Sequence, residues 1–254
     1  MRAVSSEQTG NDMFGLVKPW MALLQQVSSL PKIRVNLMAG AAQRNHPFFL
    51  KLTRDFHQSA TRPHRKLPVV GQMEIGFSVC ALDTSPYSAR LESSARRNIK
   101  KALRNGYRAS AIDFNAHLDA VTQIHQSTSV RQGKRLPTQL TASRQAPHQN
   151  PASQSPTHDY PYHGVFKDGT LVAYASCLVA GELAAIQTIF GHADHLPEGV
   201  VPLLIAHMGD QLPLDHPDLK YFAYGSFYGA TESMQRFKRK FLFTPHRVTW
   251  ILGD

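Results

Sequence analysis

The chain has 254 residues, 42% of them hydrophobic, and a formal net charge of +10 from 28 Lys and Arg against 18 Asp and Glu. That length and apolar share allow one large domain, or a compact domain with an N-terminal extension, around a real core. The charge favours polyanions, phosphorylated ligands or anionic membranes as neighbours, or is simply a soluble basic surface. No stretch approaches the roughly 20 apolar residues of a membrane span. The 2 cysteines, Cys80 and Cys177, lie in apolar strand-like runs and read as buried thiols, so a disulfide framework and a zinc site are excluded and the cytoplasm is the expected location.

Residues 1–68 read as an irregular extension that packs on the core, with breaks at Pro31, Pro47, Pro63 and Pro68 and a basic patch from Arg62 to Lys66. Within it, Met13 to Leu30 has the pattern of an amphipathic helix kinked near Pro19. It lacks the charged start and cleavage site of a secretory signal. From Val69 the pattern sharpens into a single domain over 69–254. Gln72 to Leu82 predicts a strand, and Asp83 to Pro86 a turn.

Ser93 to Gly106 then predicts a short basic helix, with two serines available as caps and Gly106 as a left-handed stop. Ala95, Ile99, Ala102 and Leu103 fall on one apolar face. Arg96, Lys100 and Arg104 form a second stripe flanked by Arg97 and Lys101. No Asp or Glu occurs between Glu92 and Asp113, so nothing local in sequence neutralises this field.

Phe114 to Ser129 predicts another helix. Residues 136–162 are rich in Pro, Gln, Ser, Thr and His, a composition that buries little apolar surface. They read as a long flexible loop, either a substrate lid or an insertion without a role. His163 to Lys167 and Thr170 to Val179 flank Asp168-Gly169, a two-residue hairpin signal. Glu182 to Phe190 is a strand, Glu198 to Gln211 a helix, Lys220 to Gly225 a strand, and Thr231 to Lys240 a helix presenting Met234, Phe237 and Phe241. Arg247 to Leu252 closes as a strand with Val248, Trp250 and Leu252 inward. This order predicts an α/β (α+β) fold, a mixed, mostly antiparallel central sheet flanked by helices.

Four stretches resemble the GNAT-fold acyltransferase superfamily, and in particular its FemAB/FemX-like branch. They are Arg96-Arg-Asn-Ile-Lys-Lys-Ala102 with Gly106, Ser129-Val-Arg-Gln-Gly133, the hairpin Val165 to Ala173, and Phe237-Lys238 before the last strand. The resemblance covers roughly residues 70–252. It implies a GNAT-like sheet and transfer of an acyl group (acetyl, fatty acyl or aminoacyl) from a CoA thioester or an aminoacyl-tRNA to an amine, with no tightly bound cofactor. It also implies that Lys238 stabilises the oxyanion, and that Tyr228, with Tyr224 and Ser226, borders an acyl slot where its hydroxyl can protonate the leaving group. One departure is plain. Ile189 to Val200 lacks the spaced glycines with which acetyl-CoA enzymes hold a pyrophosphate at a helix N-terminus, and it carries Glu198. Gly191 and that helix start remain as possible donor contacts.

Other candidates come from the residues alone. His192 and His195, with Asp194 between them, lie beyond a central strand end and can accept an amine proton, or else form a polar turn before Pro197. Their spacing matches no metal signature, so no metal is expected. Arg96, Arg97, Lys100 and Lys101 are candidates for a phosphorylated donor, and Arg236 and Lys240 for a phosphate or carboxylate. Alternatively, the same surface makes the chain a non-catalytic module that binds nucleic acid or a partner protein.

Overall fold

A computed structural model describes residues 28–64, 67–83, 85–131, 134–138 and 143–253. The expected helix Met13–Leu30 lies almost wholly outside them, as do Arg65 and Lys66 of the basic patch and Gln132-Gly133. In chain order the elements are β1 Lys32–Asn36, α1 Ala39–Asn45, α2 Pro47–Thr61, β2 Pro63–His64, β3 Leu67–Gly71, β4 Ile75–Ala81, α3 Tyr87–Arg90, α4 Ser93–Arg104 and β5 Arg108–Ile112. A 3₁₀ turn at Phe114–His117 leads into α5 Leu118–Gln126, followed by β6 Val130–Arg131, β7 Lys134–Arg135, β8 His158–Asp159, β9 Tyr162–Lys167, β10 Thr170–Ala180 and β11 Leu183–Gly191. A second 3₁₀ turn at Ala193–Glu198 precedes α6 Val200–Asp215, β12 Tyr221–Ser226, α7 Glu232–Lys240 and β13 Thr244–Ile251.

The described residues form a nine-stranded sheet in the order β1-β13-β4-β12-β11-β10-β9-β5, with β8 beside β10. Only β1–β13 and β11–β12 pair in parallel; the other pairs are antiparallel. The mixed, mostly antiparallel architecture is therefore the one predicted. The hairpin β9–β10 turns on Asp168 and Gly169, both with positive φ (50° and 80°), the conformation that a two-residue turn needs to match strand twist.

β10 is buried on both faces, and its alternation assigns the layers. Ala173, Ala175, Cys177 and Val179 pack with Ala95, Ile99 and Ala102 of α4 and Leu203 and Leu204 of α6. On the opposite face, Leu178 and Ala180 pack with Ala60 of α2, while Tyr174 packs with Val121 and Ile124 of α5.

Three expectations are corrected. The described part of the extension is not irregular: β1 belongs to the main sheet, and Pro47 starts α2 rather than breaking it. A proline costs no hydrogen bond at the first helical position, and the His46 side chain caps the helix by accepting from Phe48 N. The serines do not cap α4. Glu92 is the N-cap residue and Ser94 Oγ donates to its carboxylate. Leu103, at the rim of the apolar stripe, stays 42% exposed. At the other end the stop is as expected: Gly106 has φ 83°, with Tyr107 N donating to Ala102 O and Gly106 N to Leu103 O.

The polar segment before β9 lies along the domain through contacts that apolar content does not measure. Asn115 exchanges two hydrogen bonds with the His148 backbone, and Asn45 bonds Gln154 N and His158 O. His158 is fully buried and paired with Leu37 O.

Candidate active site

The parallel pair β11–β12 holds for only a short run, Leu183–Ala185 against Tyr221–Ala223. Two irregularities drive the strands apart beyond it. In β11, Ser176 faces Thr188 while Cys177 faces Ile186, so Gln187 is an extra residue pushed out of the β10 ladder. In β12 the pairing with β4 skips Tyr224 and Gly225, the latter with φ 57°. Once their ladders part, the two strands leave a cleft.

Two cavities occupy it. One, of about 490 Å³, is lined by Ile189, Phe190 and Gly191 of β11, by Gly199, Val201 and Pro202 at the start of α6, and by Asn98 of α4. The other, of about 520 Å³, is lined by Ile186 and Gln187, by Gly225, Ser226 and Tyr228, and by Lys238. Tyr224 and Met234 border both, so the cavities meet at the opening in the sheet.

Lys238 lines the second of them, beside the shared Tyr224. It is 4% exposed, the buried residue of an otherwise basic helix, because the 3.6-residue period of α7 turns it toward the sheet. Its Nζ donates to Ser226 O at 2.6 Å and to Ser78 Oγ at 3.2 Å, and lies 5.1 Å above the Tyr224 ring. Among the described residues no carboxylate pairs with it, and none of the residues lining its cavity is acidic. Desolvation alone therefore pushes the ammonium down from 10.5 to about 8. Tyr228, on the same wall, lies against Gly76, and burial raises its phenol.

Most of the other predicted residues are elsewhere. His192 Nδ1 accepts from Asp194 N, capping the 3₁₀ turn. His195 Nδ1 shares a 2.7 Å hydrogen bond with the Tyr107 hydroxyl, and burial lowers its pKa. Neither histidine lines the two cavities, so the structure sets them apart from Lys238 and Tyr228. Gly191 does line the first cavity. Lys101 is tied to Pro197 O at 3.0 Å and Glu198 at 3.2 Å, and Glu198 also accepts from Asn105 at 2.6 Å. The basic helix is thus partly neutralised by a residue far off in sequence, which corrects the expectation of an unopposed field. These bonds also turn Glu198 toward α4. Arg97 and Lys100 are exposed, as is Arg96, which bonds Ala89 O; Arg236 is exposed on α7.

Sequence reasoning missed Ser78, whose signal is a lone hydroxyl in the apolar run Gly76 to Ala81. Gln187 joins Lys238 in the cleft because the bulge carries it there.

No family model and no curated protein matches the chain. Solved structures do. The C-terminal domain of a protein described as a lysylphosphatidylglycerol synthetase from Agrobacterium fabrum matches with a TM-score of 0.44 and 14% identity, over 67% of this chain and 57% of that one. A GCN5-related N-acetyltransferase from Kribbella flavida matches with a TM-score of 0.36 and 14% identity, over 67% and 54%. The ribosomal-protein-S18-alanine N-acetyltransferase from Escherichia coli matches with a TM-score of 0.30 and 19% identity, over 42% and 60%. The chain thus spans less than two-thirds of the length of each. These are likenesses of fold, and they carry no residue role to this chain.

Proposed function

We propose that the chain is an N-acyltransferase that moves an acyl group from a thioester donor to an amine. One observation carries this reading: a buried lysine with no carboxylate partner among the described residues, lining a cavity where the sheet opens between two parallel strands. The amine nitrogen attacks the thioester carbonyl, the carbonyl oxygen becomes an oxyanion, and collapse expels the thiolate, which takes the proton lost by the nitrogen. An ammonium has three donors. Ser226 O and Ser78 Oγ take two of those of Lys238 and fix its direction, leaving the third for the oxyanion in a site where desolvation strengthens the interaction. The first cavity suits the donor. Its lining is mostly apolar, and it ends at the N-terminus of α6, whose first turn has no side-chain cap and favours an anionic group.

The test is thiol release from acetyl-CoA and longer acyl-CoA with a panel of amines, run beside aminoacyl-tRNA as the competing donor. Lys238→Met should lower turnover by about 100-fold or more, the usual loss for one oxyanion donor. Undiminished turnover in that variant would remove the assigned role, and transfer from aminoacyl-tRNA alone would replace the donor.

A second reading draws on the exposed stripe of Arg97, Lys100 and Arg104, which supports a module that holds a polyanion without transferring anything.

A further inference from the structure

The Lys238 cavity has a neighbour. Met73, Ile186, Gln187 and Gly225 also line a third cavity, of about 330 Å³, that lies beneath α2 against the sheet. Its walls are Leu52 and Phe56 from α2, Phe77 from β4, Leu178 from β10 and Ala185 from β11. The aromatic wall is braced from behind: Phe56 and Phe77 each meet the Trp250 ring edge-on at 5.3 Å. Its one carboxylate, Asp55, is paired with Lys51 at 2.5 Å.

We infer that the acceptor is amphipathic, with its amine at Lys238 and an alkyl or aryl group seated in this slot between α2 and the sheet. The inference rests on the acyl-transfer reading for the word acceptor. Adjacency is the argument: the slot shares Met73, Ile186, Gln187 and Gly225 with the cavity that holds the lysine. Size agrees, since a void of about 150 Å³ holds a benzene ring and this one is roughly twice that. A small hydrophilic amine would leave the slot's apolar walls in contact with water.

The test uses N-alkylacetamides, neutral analogues of the transfer product, titrated into the full chain by calorimetry or ligand-observed NMR. From methyl through butyl to hexyl, affinity should rise about fourfold per methylene. Ser59 lies on the exposed side of α2 and borders the slot, so Ser59→Trp should fill it and flatten the series, with an unchanged far-UV spectrum as the control for folding. A flat series in the natural chain overturns the inference, and so does an equally steep one in Ser59→Trp. Steep binding without any acyl transfer would leave the slot assigned and refute the proposed reaction instead.

Discussion

The buried lysine makes a claim about stability that needs no substrate. Its pKa is about 8 in the folded chain against an ordinary 10.5, so below about 8 the fold carries a desolvated cation that the unfolded chain does not. Between those two values the unfolded state binds the proton and the native state does not, so stability rises with pH. At about 1.4 kcal/mol per pH unit the full span is worth up to about 3 kcal/mol, less whatever water in the cleft screens. Lys238→Met removes the titration and keeps the stem. Urea unfolding followed by tryptophan fluorescence, in reducing buffer from about pH 7 to pH 11, gives the stability of both proteins. Their difference cancels every other titrating group. It should move by about 2–3 kcal/mol in favour of the natural chain as pH rises. A difference that stays constant would mean the amine is not desolvated, and the reasoning about its third donor would fall with it.

Other outcomes follow from the same geometry. Because Lys238 must hold its proton to stabilise an oxyanion, turnover should fall as pH rises through about 8, and this descending limb should vanish in the residual activity of Lys238→Met. Gly76 has φ 72°, and a Cβ there would stand 2.2 Å from the Tyr228 ring, so Gly76→Ala should cost at least about 1–2 kcal/mol in urea unfolding and impair turnover by moving the cleft wall. Tyr87 is buried and donates to Phe241 O at 2.7 Å; Tyr87→Phe leaves that carbonyl unpaired and should cost about 1–3 kcal/mol. If the chain binds RNA through α4, affinity should drop about 20-fold between 50 and 200 mM salt for three phosphate contacts, and Arg97→Gln, Lys100→Gln and Arg104→Gln together should abolish that slope.

What could be read ahead of the structure was local. Asp168-Gly169 and Gly106 announce their turns because few residues take positive φ, and the alternation at Val248 and Trp250 marks a strand with one buried face. The sheet class followed from the order of such elements. What could not be read was produced by distance. Glu198 meets Lys101 only because the turn before α6 lies beside α4. Lys238 looks like one more cation on a basic helix until the helix is docked, and Ser78 gains meaning only as its partner. The prolines of the first residues suggested breaks because their position within an element, which decides whether they harm it, depends on where the element begins. The cleft itself arises from two mismatched ladders, and no single strand's sequence encodes a mismatch.

The parallel pairing of β1 with β13 has a bearing on how the molecule is assembled. Lys32–Asn36 has no strand to lie against until Arg247–Ile251 has been made, so the first described strand waits for the last. Val35 and Leu37, both fully buried, are exposed until then. Such long-range closure slows folding and prolongs the exposure of an edge. On a ribosome the β9–β10 hairpin and its neighbours can form first, while the joint that seals the sheet forms only once β13 has emerged. Cuts near either end of the described chain should therefore fail in the same way, as late-stage aggregation rather than loss of a separable piece.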